Sequence, residues 1–411
     1  MRIMQNMEKL IIEKIDEMRD EIILFLQKLI QIPSEVPPGK YREISKFVAS
    51  KMKEFEINTK VKRNNIIGEI GNENGPSLIF NAHLDTVPTY DGWTMDPHGG
   101  EIVGNKIYGR GAADDKVCVA AEIFATKALL DAGIDFNGKL IITAVINEEI
   151  GGLLGTEYIV KDEIVKGDAC LLGDVCCDYP VAYLGGTMQI SFIIKGIRRN
   201  AQAYPDLPPP NRNNYSGINA IGKMVKIMNF LMDLQEEFKQ MKTKYPIPPD
   251  LPSKVSSVNF TMINGGNSVN TTPDYCILQC IISVIPEMDL ENIKARIFNF
   301  VKSLEKKDPN LNITTQIGGY IKPRITETNS TFAKAVKNAF KTVFEEERDF
   351  KTFIPTTDAQ LFQEKGIETI LIGPLRGENN HHAQDEFVYI EDVINVTKIY
   401  ALTALNYLKK N

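Results

Sequence analysis

Apolar positions near the N-terminus fall at Leu10, Ile11, Ile15, Met18, Ile22, Phe25, Leu26 and Leu29. Their spacing, close to 3.6 residues, predicts one amphipathic helix over 7–30 that stops near Pro33. The same reading predicts a helix over 41–55, strands over 65–71 and 77–81, a helix over 116–130, a strand over 139–146 and a helix over 153–160. Helices of this length between short apolar strands predict an α/β fold, a mainly parallel central sheet covered by helices. The pattern changes after Asp174. Residues 187–195 alternate like a half-exposed strand, 204–215 read as a proline and asparagine loop, and a long helix follows over 218–241. A proline-rich linker at 245–252, strands at 255–263 and 275–285 around a Gly265-Gly266 turn, a helix at 290–304 and a strand at 312–316 come next. That order is strand-helix-strand-strand-helix-strand, an α+β, ferredoxin-like split βαβ unit. A helix over 330–344, a strand at 369–372 and a helix at 390–408 then restore the first pattern. One domain in two parts, 1–186 and 322–411, is therefore expected, with a smaller domain, 187–321, inserted between them.

Composition narrows the functional classes. Over 411 residues the chain is 43% hydrophobic and 24% charged, with a net charge of −6. That balance offers no general attraction to nucleic acid or an anionic membrane, although it leaves room for a local basic patch. The six cysteines, at 118, 170, 176, 177, 276 and 280, have neither zinc-knuckle nor redox spacing. A reducing, cytoplasmic setting is expected rather than a disulfide framework. The acids Glu8, Glu13, Asp16, Glu17, Asp20 and Glu21 precede the apolar segment at 22–30, which excludes a signal-peptide reading. No apolar run approaches bilayer length.

Candidate chemistry collects at strand ends, where parallel sheets place their sites. There are four histidines, His83, His98, His381 and His382. His83 follows the 77–81 strand and stands two residues before Asp85, which fits an imidazole that binds metal on one nitrogen while the Asp85 carboxylate steadies the ring through the backbone or the other nitrogen. Glu148-Glu149 follow the 139–146 strand, Asp174 follows an apolar run at 169–172, and His381-His382 come after the 369–372 strand. Asp114 lies in Gly109-Arg110-Gly111-Ala112-Ala113-Asp114-Asp115-Lys116, where it either binds metal or balances Arg110 or Lys116. Mixed oxygen and imidazole donors suit Zn²⁺, with Mn²⁺ or Co²⁺ as alternatives. Of the adjacent Glu148 and Glu149, one binding metal and one free to take a proton explains the pair better than a solvated helix start. Cys176 and Cys177 read as packing residues, and Trp93 as a loop residue walling the cleft.

Together these motifs resemble the M20 family of cocatalytic metallohydrolases, which includes acetylornithine deacetylase, succinyl-diaminopimelate desuccinylase, aminoacylase and carboxypeptidase G. The resemblance spans essentially the whole chain: HLDTVP at 83–88, GRGAADDK at 109–116, NEE at 147–149, LGD at 172–174, KG at 195–196, GG and NTTP within 265–273, TTDA at 356–359, GP at 373–374 and HHAQDE at 381–386. It implies a phosphorylase/hydrolase-like catalytic domain and a small domain that closes over substrate and forms a homodimer. It further implies two divalent metal ions, one held by His83 and Asp174, the other by Glu149 and His382, with Asp114 bridging them. Asp85 would be the carboxylate that orients His83, and Glu148 the general base. His382 rather than His381 matches the family spacing. The implied reaction is hydrolysis of an amide bond in a small N-acyl amino compound, or in a di- or tripeptide. Asn270, Gly265, Gly266, Thr357 and Asp358 stand on the substrate side, the last two at the pocket rim.

Three positions depart from the family pattern. Asn200 replaces the histidine that most members supply from the small domain to the partner subunit's active site. Its amide can still donate to an oxyanion, a contact of roughly 3 kcal/mol, but carries no charge. Ser283 replaces an arginine that meets the substrate carboxylate, leaving that role to Lys322 or Arg324 or to no residue. Asp115 stands where methionine is usual, either adding negative charge or sitting in solvent. Asn200 and Ser283 also motivate a second reading, a noncatalytic metal-binding dimeric scaffold or sensor.

Overall fold

In a computed structural model the protein is described over residues 2–174, 178–202, 216–248 and 254–409. Cys176, Cys177, the 204–215 loop and the second half of the 245–252 linker lie outside the described residues. The chain forms two compact units. One comprises Met1–Ala182, Thr326–Lys351 and Thr357–Asn411, the other Tyr183–Ile325 and Thr352–Thr356.

The first unit is an α/β layer structure. From one edge its sheet begins Asn58–Lys62, Asn65–Gly71, Lys139–Val145, Ser77–His83, Ala169–Gly173, Glu368–Ile372, and it continues antiparallel beyond the last of these. The inner four strands are parallel to one another, while the first two form an antiparallel edge. Strands Ser77–His83, Lys139–Val145 and Ala169–Gly173 are buried almost throughout, as a sheet covered on both faces requires. Helices Lys116–Asp131 and Ile390–Leu408 lie against Ser77–His83, with Arg2–Glu17, Arg19–Gln31 and Thr331–Phe344 packed on them. Phe80 of the strand meets Tyr400 of the last helix edge-on at 4.7 Å. A separate antiparallel ribbon joins Ile102–Val103, Lys106–Tyr108 and Phe387–Tyr389.

The expected helix over 7–30 is two helices, meeting at Met18. The Met18 amide is shared between the carbonyls of Lys14, at 3.2 Å, and Ile15, at 3.1 Å. This local tightening leaves the apolar face continuous, which is why periodicity does not register it. The edge strand Asn58–Lys62 was not expected, because its exposed residues carry no apolar alternation.

The second unit is α+β. Its strands Ser257–Gly265, Tyr275–Val284, Gly186–Lys195 and Asn312–Ile321 form, in that spatial order, an antiparallel sheet. Taken in chain order with helices Ala220–Gln240 and Leu290–Lys307, they follow the ferredoxin-like sequence of elements. The helices start at side-chain caps. Asn219 accepts the Gly222 amide, and Asp289 accepts those of Glu291 and Asn292. A core of Met188, Ile190, Phe192, Leu231, Leu278 and Ile297, with their neighbours, fills the space beneath the sheet. Among the described residues of either unit, no helix is long and apolar enough to cross a membrane.

Candidate metal centre

The first unit's parallel strands end on one side in a cluster of acids and imidazoles. The Ser77–His83 strand delivers His83, 3% exposed, to its carboxyl end. Its Nδ1 sits 2.9 Å from the Asp85 backbone carbonyl, and its Nε2 sits 3.0 Å from Asp114 Oδ1. Nδ1 donates to this carbonyl, which turns the ring so that Nε2 faces Asp114. The Asp85 carboxylate, expected to orient the ring, lies farther from it than this carbonyl. That carboxylate, fully buried, accepts the amides of Glu148 and Glu149, each at 3.1 Å, while its Oδ1 lies 3.7 Å from the imidazole. Asp85 therefore joins two strand ends, steadying His83 with its backbone and the Glu148–Ile150 turn with its side chain.

Asp114 stands between two imidazoles. Its Oδ1 meets His83 and its Oδ2 lies 3.0 Å from His382 Nε2. The same His382 nitrogen is 3.2 Å from Glu149 Oε2, and Glu149 Oε1 accepts the Val87 amide at 3.1 Å. One ligand atom each from His83, Asp114 and Glu149 lies within 4.8 Å of the other two. Asp114 balances neither Arg110 nor Lys116. Arg110 donates to Glu386 at 2.6 Å, and Lys116, fully buried, to the Ile32 carbonyl at 2.9 Å. His382, not His381, is the ring set against the carboxylates, as the motif spacing implies.

Three further buried acids act electrostatically on this cluster. Asp174 ends the Ala169–Gly173 strand, buried, its amide held by the Ile372 carbonyl at 2.9 Å. The glycine before it is required by close approach, since a Cβ at 173 would fall 2.4 Å from Cys118 Cβ and 2.8 Å from the Tyr400 hydroxyl. Asp358, expected at the rim, is 4% exposed at the start of helix Ala359–Glu364 and acts electrostatically on Glu148. Gly152 makes room for it, since a Cβ there would meet Asp358 Oδ1 at 2.5 Å. Asp115 is not in solvent. It is fully buried and takes the His83 amide at 3.1 Å.

The electrostatics follow from this crowding. Burial pushes the Glu148 carboxyl well up, and Asp358 and Asp174 add to the rise. Burial likewise raises Asp174, with Asp114 and Asp115 reinforcing it, raises Asp115 to about 7, and raises Asp358 to about 6. Burial alone would raise Asp114 too, yet hydrogen bonds from His382 and His83 hold it well below the usual carboxylate range. Asp114 and Glu149 push His382 up to about 10. Buried carboxylates outnumber the local cations, and Arg110 and Lys116 are engaged elsewhere. Imidazole and carboxylate donors converging in this way fit a divalent cation.

The remaining candidates belong to other places. Within the second unit, Asn200 pairs with Thr271 as an isolated bridge, and its Oδ1 accepts the Gln202 amide at 2.8 Å. Asn270 is nearby in that unit, its carbonyl accepting the Ala201 amide at 3.0 Å. Gly265 ends a strand, and Gly266 turns the chain at φ +75°. Lys322 pairs with Glu291 at 3.2 Å, and Arg324 lies in a short strand with Ile325. In the first unit, Thr357 is buried, its hydroxyl accepting the Ala359 amide at 3.1 Å. Trp93 is a loop residue as expected, donating to the Thr89 carbonyl, with the Arg110 guanidinium 5.1 Å from its ring.

A two-unit α/β fold with an imidazole and carboxylate centre at the carboxyl ends of its parallel strands defines a metal-dependent amide hydrolase. The chain belongs to peptidase family M20/M25/M40, whose model matches residues 79–406. It is 26% identical to the succinyl-diaminopimelate desuccinylase of Hydrogenovibrio crunogenus, over 94% of this chain and 99% of that one. It is also 26% identical to the N-formyl-4-amino-5-aminomethyl-2-methylpyrimidine deformylase of Bacillus subtilis, over 94% of each chain. In fold it is similar to an M20 family metallo-carboxypeptidase from Sulfolobus solfataricus, with a TM-score of 0.74 at 21% identity, over 94% of this chain and 99% of the other.

Proposed function

We propose that the protein hydrolyses the amide bond of a small N-acylated amino compound at a pair of divalent metal ions, zinc in the first instance, with cobalt or manganese able to substitute. The observation that carries the reading is Asp114, one oxygen facing His83 and the other facing His382. In this reading His83 and Asp174 hold one ion, Glu149 and His382 the other, and Asp114 reaches both. When bound, the ions polarise the scissile carbonyl and acidify a water. Glu148 acts as the general base. It takes a proton from the attacking water and returns it to the leaving amine, a role that suits a carboxyl whose proton affinity burial and Asp358 have raised. Asp85 keeps Glu148 in place by holding its amide.

In the small domain, Asn200 is the proposed oxyanion donor, its carbonyl oxygen already occupied by Gln202 so that its NH₂ is the group to offer. We assign this domain, 187–321, the roles of lid and dimer interface. Ser283 offers no guanidinium, and Lys322 is paired with Glu291. Both favour a substrate without a carboxylate at that point. The two curated relatives, a desuccinylase and a deformylase by name, support removal of an acyl group from an amine. A di- or tripeptide is the second reading, supported by the peptidase family model.

The test is hydrolysis by zinc-loaded protein across N-acetyl, N-succinyl and N-formyl amines, with and without a carboxylate, beside di- and tripeptides. Turnover of an N-acyl amine that a chelator abolishes and zinc restores is expected. Turnover of peptides alone would favour the peptidase. No turnover with two metals bound per chain would favour a noncatalytic scaffold.

A further inference from the structure

The loop that carries His382 has no regular secondary structure of its own, yet it must hold an imidazole within hydrogen-bond distance of Asp114. Glu386, fully buried, is where the two loops join. Its Oε1 accepts the Ala113 amide at 2.9 Å and the Asp114 amide at 3.2 Å, and its Oε2 accepts from Arg110 Nη1 at 2.6 Å. Arg110, 1% exposed, uses its other terminal nitrogen to donate to the Pro88 carbonyl at 3.2 Å and the Ala383 carbonyl at 3.1 Å. The Glu386 carbonyl in turn accepts the Gly109 amide at 2.9 Å. One ion pair thus ties together the loop after the His83 strand, the loop bearing Asp114 and the loop bearing His382. A second anchor, Asp385, accepts the Thr94 hydroxyl at 2.7 Å and the Thr94 and Met95 amides at 2.8 and 3.1 Å, with no hydrogen bond to a ligand-bearing side chain among the described residues.

We infer that Arg110 and Glu386 are positioning residues that set the Asp114 to His382 separation, and with it the affinity for the metal ion on the His382 side. Asp114 is common to both sides of the centre, so the two sides differ in what holds the other imidazole. Glu386 grips the Asp114 backbone itself, and Arg110 grips the carbonyl of Ala383, next to His382. His83 is held separately by its own strand and by the Asp85 carbonyl. Loosening the pair should therefore release one side of the centre before the other. Partners lying one step behind metal ligands typically alter affinity about 10- to 100-fold when removed. This inference rests on the proposed two-metal reading.

The experiment is titration of chelator-stripped protein with Zn²⁺ by calorimetry, with metal content after dialysis as a second readout. Glu386→Gln keeps the volume but turns an NH₂ toward either the amides or Arg110. A double variant, Arg110→Met with Glu386→Leu, removes both buried charges and so protects the fold. Thr94→Ala, which loosens only the Asp385 anchor, controls for general loop stability. Expected is wild-type binding of two ions, retention of one ion near wild-type affinity in both Glu386 variants, and at least tenfold weaker binding of the other. The Thr94 variant should behave as wild type. Two ions at unchanged affinity in both Glu386 variants would overturn the positioning role alone. So would an equal loss in the Thr94 variant, because loop stability would then account for the effect. Wild-type protein that binds no second ion would overturn the two-metal reading and this inference with it.

Discussion

Asp85→Ala separates two roles that one residue performs. The His83 ring is held by the Asp85 carbonyl, which alanine keeps, whereas the carboxylate holds the amides of Glu148 and Glu149 at 3.1 Å each. Removing it leaves two amide donors without an acceptor, and a buried one left unsatisfied costs about 1–3 kcal/mol. Glu148 and Glu149 are partly exposed, so water can reach some of this turn, and about 2 kcal/mol for the pair is a reasonable figure. At about 1.4 kcal/mol per factor of ten, opening of the 148–150 turn should become roughly 30-fold more frequent. Amide hydrogen exchange by mass spectrometry reads this directly in peptides covering 147–151, while calorimetry reads zinc affinity. The expected outcome is exchange faster by about that factor, with affinity for the His83-side ion little changed. Unchanged exchange together with a tenfold loss of that affinity would refute the reasoning, because it would return the carboxylate to orienting His83.

Two predictions concern pH. Burial lowers Lys116 from its usual value to about 7, so between pH 7 and the unfolded value near 10.4 the unfolded chain binds the extra proton. Stability of the metal-free protein should therefore rise with pH across that window, by roughly 3–5 kcal/mol at most, and Lys116→Met should flatten the rise. Urea midpoints measured from pH 7 to 10 check this, and a flat wild-type profile would contradict it. In the small domain Asp308 accepts from the buried Lys223 at 2.7 Å and from Lys226 at 3.2 Å. Burial opposes its charge, but these lysines win and depress its pKa. Its stabilisation is thus present above the unfolded value near 3.9 and lost as pH falls through the lower folded value. Asp308→Asn should cost about 2 kcal/mol at pH 7 and reduce the acid sensitivity of that domain, as seen by thermal melts at pH 3 and 7.

Strand ends were the most legible part of this chain. His83, Glu148, Glu149 and Asp174 each follow an apolar run, and an apolar run in a parallel sheet has a defined carboxyl end where polar groups gather. The small domain was legible because its strands alternate and its helices carry periodic apolar faces. What escaped the sequence depends on contacts that spacing does not encode. Nothing in His-Leu-Asp says whether the backbone or the carboxylate of Asp85 meets the ring. Arg110 and Glu386 lie in two separate motifs, and only the fold makes them one buried pair. Asp358 was expected at the pocket rim from the family motif, yet it is buried at the start of helix Ala359–Glu364. Asp115 looks like a solvated helix start, since local polarity carries no record of tertiary burial.

Glu148 is the proposed proton carrier in a metal-dependent amide hydrolysis. The most direct measurement compares wild-type protein with Glu148→Gln at saturating zinc, on the best N-acyl substrate of the panel, with metal content determined for both. General-base loss predicts equal metal content, a similar KM and a kcat lower by about 10²- to 10⁴-fold. A variant that keeps its metal and turns over at the wild-type rate would contradict the claim.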